Sequence, residues 1–202
     1  MRYVFLDVDG VLNNAYTINE PRHGYIKGFA AIDFCNLDHF DELMKSLYAQ
    51  YGRSNVKIIL SSSWRASVRK KYTQGNEDPF RALLDEFLAS KDLYVYDEIP
   101  FLPDDYSRGT EIIAYLSAHV ADLEGYIVLD DICYKDYKAL KVTRHLIQTS
   151  YKNRAGSAGL QRRHIPYAMA MMEQKITKLE MMKIRQIGDM ISGLLSVDKT
   201  NG

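Results

Sequence analysis

Cys35 and Cys133 are the only two cysteines in 202 residues. Two thiols supply neither a disulfide framework nor a zinc pattern, and their scarcity fits a reducing, cytoplasmic setting. Neither sign of charge is in excess, since 26 Lys+Arg face 26 Asp+Glu. Bulk electrostatics therefore gives no drive toward nucleic acid or anionic membrane, although a local basic patch is compatible with neutrality. No apolar run approaches the ~18 residues that a membrane helix needs. The opening Met1-Arg2-Tyr3-Val4-Phe5-Leu6-Asp7 meets an acid too early for a signal-peptide core. Internal repeats are absent, and the small-residue stretch 153–159 is a loop, too short for an interdomain linker. The expectation is a soluble protein with no membrane partner. Its 47% hydrophobic and 26% charged residues are ordinary for a globular chain able to bury a core unaided.

Four short apolar runs end at polar or acidic residues. They are 3–6 before Asp7, 56–60 before Ser61, 93–96 before Asp97 and 126–129 before Asp130, with 145–148 a fifth candidate. Continuous apolarity predicts strands covered on both faces, as in parallel sheets. Between them Leu37, Phe40, Leu43, Met44, Leu47, Tyr48 and Tyr51 mark one helical face, with Asn36 or Asp38 as cap and Gly52 as stop. Asp78-Pro79 opens a second helix carrying Phe80, Leu83, Leu84, Phe87 and Leu88, and a third holds Ile112, Ile113, Leu116 and Val120. This alternation predicts an α/β fold, a Rossmann-like three-layer sandwich whose site lies beyond the carboxyl ends of its strands. The acids and serines named above fall at those ends.

From 165 to 195 the character changes. Ile165, Met169, Met172, Ile176 and Leu179 recur at helical spacing, and Ile184, Ile187, Ile191 and Leu194 resume the rhythm. The pattern predicts a long amphipathic helix with a break near Gly188. One apolar face serves either its own domain or a second subunit, so a homo-oligomer through this helix stands beside intramolecular packing. The organisation expected is a core over 1–165 and a helical extension over 166–202, frayed after Val197.

The first chemical motif is Phe5-Leu6-Asp7-Val8-Asp9-Gly10-Val11-Leu12-Asn13. Carboxylates directly after a buried strand are costly unless something positive meets them. Magnesium does so naturally, because it prefers oxygen ligands and takes one or two carboxylates with phosphate oxygens. Gly10 lets the chain turn sharply and bring N–H groups toward a phosphate. The plain alternative is a strand ending in an Asp-Gly turn with acids as caps, a pattern calcium loops share.

The surroundings of that motif decide between the two. A hydrophobic strand into Asp-x-Asp-Gly-Val-Leu resembles motif I of the haloacid dehalogenase (HAD) superfamily, and the other three motifs follow in order. Ile58-Ile59-Leu60-Ser61-Ser62-Ser63-Trp64-Arg65 is similar to motif II. Arg108, opening Arg108-Gly109-Thr110-Glu111-Ile112-Ile113, stands at the Lys or Arg of motif III. Tyr126-Ile127-Val128-Leu129-Asp130-Asp131 resembles motif IV. The resemblance covers about residues 1–165. Ser-Ser-Trp-Arg, Arg-Gly-x-Glu-Ile, and His145-Leu146-Ile147-Gln148-Thr149 with Gly159-Leu160 are similar to a small-cap group found in RNA-repair proteins.

The resemblance implies a magnesium-dependent phosphatase, with manganese also acceptable to such ligands. Asp7 would attack phosphorus and form an aspartyl-phosphate, while Asp9 serves as general acid and then base. The metal would be held by Asp7, the Asp9 carbonyl, and Asp130 with or without Asp131. Ser61, or Ser62 beside it, would donate to the phosphoryl oxygens, and Arg108 would balance their charge. Each residue also has a plainer reading. The serines serve equally as turn caps, Arg108 as a surface residue in a first helical turn, Asp130-Asp131 as a turn, and Trp64 as core or site wall. Arg65, Arg69, Lys70 and Lys71 form a basic cluster that suits a polyanion or a solvated helix face.

Segment 14–33, with Tyr16, His23, Tyr25 and Lys27, is long enough for a flap and too short for a folded cap. A minimal cap predicts an open site able to admit a nucleotide or nucleic-acid end. A non-catalytic binding or assembly protein of the same fold, and a phosphotransferase or mutase, are the competing readings.

Overall fold

The computed structural model describes residues 1–17, 24–26, 30–65, 79–102, 107–154 and 156–197. Strand β1 (Arg2–Leu6) leads into a short antiparallel hairpin, β2 (Gly24–Ile26) with β3 (Ala30–Ile32), and then helix α1 (Phe34–Tyr51). Strand β4 (Val56–Leu60), helix α2 (Pro79–Ala89), strand β5 (Asp97–Glu98), helix α3 (Arg108–Ala118) and strand β6 (Gly125–Asp130) follow. Strand β7 (Leu146–Gln148) and helices α4 (Ile165–Glu173) and α5 (Lys178–Val197) complete the chain. The five-stranded sheet has the order β5-β4-β1-β6-β7, every pair parallel.

Alternation along the strands divides the core into two. Val4, Leu6, Ile58, Leu60, Ile127 and Leu129 pack on α1, α2 and α4, whereas Tyr3, Phe5, Ile59, Tyr126 and Val128 pack on α3 and α5. Each large apolar side chain taken out of water in these layers contributes on the order of 1.5–3 kcal/mol. The outcome is the three-layer sandwich expected, with apolar runs continuous because both faces are covered. Among the described residues the element in the cap position is the β2–β3 hairpin, which touches α2.

Several boundaries differ from expectation. The third run, 93–96, is not itself strand, and pairing is confined to Asp97–Glu98 at the sheet edge. Tyr96 N–H donates to the Ile58 carbonyl at 2.9 Å, but Tyr94 and Tyr96 are more than half exposed while Leu93 is buried. An edge segment with one open face alternates. Asp33, not Asn36 or Asp38, caps α1, accepting from the N–H groups of Cys35 (2.9 Å) and Asn36 (3.1 Å). Asn36 is buried instead and donates to the carbonyls of Ala158 (3.0 Å) and Leu160 (2.8 Å). Gly52 stops α1 at φ +83°, as a left-handed C-terminal glycine does. Val120 falls in the turn after α3, and His145 in the turn preceding β7. Asp78, His23 and Lys27 lie outside the described residues, as does the tail after Val197.

The C-terminal helix is broken at 174–177 rather than near Gly188. Thr177 and Glu180 cap α5 reciprocally: the Thr177 N–H donates to Glu180 Oε2 (2.6 Å), and the Glu180 N–H to Thr177 Oγ1 (3.2 Å). Gly188 lies inside α5, where a β-carbon would stand 1.7 Å from Ser117 Oγ of α3. Its role is close helix approach, not a break. The inner face of α5 thus packs on its own domain, with Ile184 fully buried.

Candidate active site

The strand register brings the motif residues to one level. Leu6 pairs with Leu60 on one side and Leu129 on the other. Asp7 N–H then donates to the Leu129 carbonyl (3.0 Å), and Ser61 N–H to the Leu6 carbonyl (2.8 Å). Asp7, Ser61 and Asp130 therefore stand side by side at the carboxyl ends of the three central strands. Asp7, Asp130 and Asp131 each place a carboxylate oxygen within 4.8 Å of the other two. Gly10, at φ +77°, makes this possible: a β-carbon there would lie 2.4 Å from Asp131 Cγ.

These acids are held in an unfavourable state. Burial, then the charge of Asp130, raises the Asp7 pKa, against the opposing effects of Arg108 and a hydrogen bond from Ser62. Burial also raises Asp130, although the Ile132 N–H (2.9 Å) and the Tyr137 hydroxyl (3.2 Å) donate to it. Asp131 is raised by burial and by Asp9. A cation at this cluster relieves all three penalties at once. The donor set is entirely oxygen, which fits a hard ion such as Mg2+.

Asp9 is clamped. Its Oδ1 accepts from Asn13 Nδ2 (2.9 Å) and its Oδ2 from Trp64 Nε1 (3.0 Å). Asn13 Oδ1 in turn accepts the Gly10 N–H at 3.1 Å. The Thr149 hydroxyl donates to the Gly10 carbonyl (2.6 Å), so the closing segment secures the same loop.

Arg108 is the first residue of α3 and is 10% exposed; its Nη1 is buried with no hydrogen-bond partner among the described residues. Burial works against its charge, but Asp7 and Asp130 more than offset it and raise the pKa. Its neighbours hold it in place. A β-carbon at Gly109 would meet Asp136 at 2.8 Å, while Thr110 donates its N–H (2.8 Å) and hydroxyl (3.2 Å) to Asp136. Glu111 lies 3.5 Å from Arg108 Nε and 3.1 Å from Arg65 Nη2. Arg65 faces inward, donating also to the carbonyls of Ser62 (2.9 Å), Ile99 (3.1 Å) and Pro100 (3.1 Å). It is thus a buried brace rather than part of a basic cluster at the mouth; Arg69, Lys70 and Lys71 lie outside the described residues.

The serines divide their tasks. Ser61 Oγ is buried without a partner among the described residues, Ser62 bonds Asp7 and accepts the Trp64 N–H (3.3 Å), and exposed Ser63 lines the cavity. That cavity, about 390 Å³, is floored by Asp7, Asp9, Arg108 and Asp131. Ile132, Tyr134 and Tyr151 form its rim.

Trp64, Asn13, Asp136 and Tyr137 are the supporting residues that motif reading did not assign to the site. The Trp64 and Asn13 letters lie inside quoted motifs, yet nothing in their spacing says that both aim at Asp9. Asp136 and Tyr137 carry no sequence signal beyond their nearness to Asp130-Asp131.

A family model described as the HAD domain in Swiss Army Knife RNA repair proteins matches residues 3–164. No curated protein and no solved structure matches the chain. Magnesium is the metal generally used in the HAD family, and the three-carboxylate cluster accords with it. With its five-stranded parallel sheet between helical layers, the chain belongs to the HAD superfamily of phosphatase-type hydrolases, in the family of HAD domains found in RNA repair proteins.

Proposed function

We propose that this protein is a magnesium-dependent phosphatase that removes a terminal phosphate from a nucleotide or nucleic acid through an aspartyl-phosphate on Asp7. The observation that carries the reading is the pairing of opposites around Asp7. Three carboxylates ask for a cation, while the Nη1 of Arg108, without a partner among the described residues, asks for an anion. A metal-bound phosphate ester satisfies both.

Asp7, Asp130, Asp131 and the main-chain carbonyl of Asp9 are the groups that would hold Mg2+, or Mn2+ in its place. When bound, the ion neutralises charge between the Asp7 carboxylate and the phosphate that it attacks. The Asp7 carboxylate displaces the ester oxygen in line, and that oxygen takes a proton from Asp9. Asp9 then removes a proton from the water that releases phosphate and restores Asp7. Trp64 and Asn13 keep its carboxylate oriented through both steps. Arg108 and the Ser61 and Ser62 hydroxyls compensate charge on the transferred group. The nucleic-acid preference is supported by the family match and by the aromatic rim.

The proposal extends to organisation: a catalytic core over 1–165 and a helical extension over 166–202, working in the cytoplasm. Free Cys35 and Cys133 agree with a reducing compartment, and no helix among the described residues is long and apolar enough to cross a membrane. A homo-oligomer formed through α5 has to use its outer face, where Leu179, Met182 and Met190 are exposed.

The direct test is phosphate release from p-nitrophenyl phosphate. The wild-type protein should need Mg2+ and lose activity with chelator, and Asp7→Asn should lower kcat at least about 10³-fold. Unchanged turnover in Asp7→Asn contradicts the assignment. Binding without turnover by the wild type favours a non-catalytic protein, and phosphate transferred to another alcohol favours a mutase.

A further inference from the structure

A second depression, about 560 Å³, opens from the catalytic cavity. The two share Arg108, Ile132 and Tyr134, and the second adds Arg65, Ser107, Glu111, Cys133 and Lys135. Its floor is the segment directly after the Asp130-Asp131 pair, so whatever ester group leaves Arg108 in this direction must pass over Ile132 and Tyr134.

This floor is a firm apolar shelf. Ile132 is 48% exposed, yet its N–H is tied to Asp130 Oδ1 at 2.9 Å. The Tyr134 ring is half-buried and backed by the fully buried Tyr137, ring centroids 5.4 Å apart. The Arg108 guanidinium carbon lies 5.5 Å from the centre of the Tyr134 ring. Tyr137 donates through its N–H to the Tyr134 carbonyl (3.1 Å) and through its hydroxyl to Asp130. A large apolar side chain left open to water while its backbone is fixed beside the chemistry is poised for a ligand surface. Cations line it: Arg108, which also lines the catalytic cavity, exposed Lys135, and Arg65, which is buried. Glu111, the acid among the described residues that line this depression, is engaged with Arg65 and Arg108.

A planar ring beside cations matches one chemistry well. Single-stranded nucleic acid presents a base to stack and, one nucleotide away, a phosphate to neutralise. We infer that Ile132, Tyr134 and Lys135 form the subsite for the nucleoside carrying the scissile phosphate and for the phosphate of its neighbour. The substrate class is then a phosphorylated single-stranded end rather than a sugar phosphate. This rests on the phosphatase reading and adds the leaving-group side to it.

Steady-state kinetics on a terminally phosphorylated oligonucleotide (5′ and 3′ forms) and on glycerol phosphate tests it. Glycerol phosphate has the ester but no base and no second phosphate. The wild type should prefer one oligonucleotide form to glycerol phosphate in kcat/KM by at least about tenfold. Tyr134→Ala should raise KM for that oligonucleotide about tenfold more than for glycerol phosphate, with Tyr134→Phe restoring it. Lys135→Ala should weaken the oligonucleotide alone and flatten its salt dependence. Ile132→Ser serves as a second shelf variant that leaves the Arg108 contact intact. Equal losses on both substrates, or no wild-type preference, overturn the shelf. Absence of turnover on every substrate instead tells against the phosphatase reading. In that event fluorescence anisotropy of the same oligonucleotide with wild type and Tyr134→Ala still decides the subsite.

Discussion

Trp64 reaches Asp9 across 55 residues of chain, donating its indole N–H at 3.0 Å while its ring packs edge-on against Phe80 at 5.1 Å. Trp64→Phe keeps most of that packing and removes the donor. In the proposed mechanism Asp9 protonates the leaving group, and a positioned acid is worth about 10²–10⁴-fold in such a step. An alkyl phosphate needs that proton and an aryl phosphate hardly does. We therefore expect Trp64→Phe to reduce kcat on an alkyl phosphate at least about tenfold more than on p-nitrophenyl phosphate. Equal reductions would assign Trp64 a packing role only. The acids themselves were legible because they cluster where apolar runs end, and Arg108 because the segment that it opens is similar to the third motif. Their supports were not. Whether Trp64 faces the core or Asp9, and which serine of the triplet meets Asp7, depend on side-chain directions that no local spacing encodes.

The C-terminal helices show how an element is placed by one residue. Glu180, 2% exposed, accepts from Thr177 and from Arg144 Nη1 (2.8 Å), and lies 3.3 Å from His145 Nε2. Burial works against the Glu180 charge, but the Thr177 donors, His145 and Arg144 outweigh it and lower the pKa. Burial likewise lowers that of His145, against Glu180 and the Tyr126 carbonyl. A lowered carboxyl contributes stability above its unfolded value of 4.5 and loses it as pH falls through the folded value. A lowered imidazole makes the unfolded state the better proton binder below 6.5, which destabilises in the same direction. Melting temperature should fall from pH 7 to pH 4. Glu180→Gln should cost about 2 kcal/mol at pH 7 through the lost cap and charged hydrogen bonds, and should flatten the acid limb. A thermal scan across pH checks this; a variant as stable and as pH-sensitive as the wild type would detach α5 from Glu180. The Thr177-x-x-Glu180 capping box was readable in the sequence. An apolar rhythm that continued on both sides of it masked the break, and Gly188 drew attention because glycine more often ends a helix than permits a close crossing.

On the scale of the molecule, the strand order does the assembling. With β1 in the middle, β4 on one side and β6 on the other, the first, second and fourth motifs become neighbours although 54 and 123 residues separate Asp7 from Ser61 and Asp130. The layered architecture was legible, since apolar runs ending in acids and alternating with amphipathic helices admit few other packings. The edge strand was misplaced because an edge obeys different burial from a centre, and the hairpin cap left no pattern beyond its shortness. On the proposed reading, all of this architecture converges on one carboxylate, that of Asp7, which acts as the nucleophile. The most direct test is to quench the protein in acid during turnover of a radiolabelled phosphate ester with Mg2+ present. The account predicts an acid-stable, hydroxylamine-labile label on Asp7, absent in Asp7→Asn and, with an aryl ester whose departure hardly needs a proton, accumulating in Asp9→Asn, where water is no longer activated. Turnover with no covalent label, or with the label undiminished in Asp7→Asn, would contradict it.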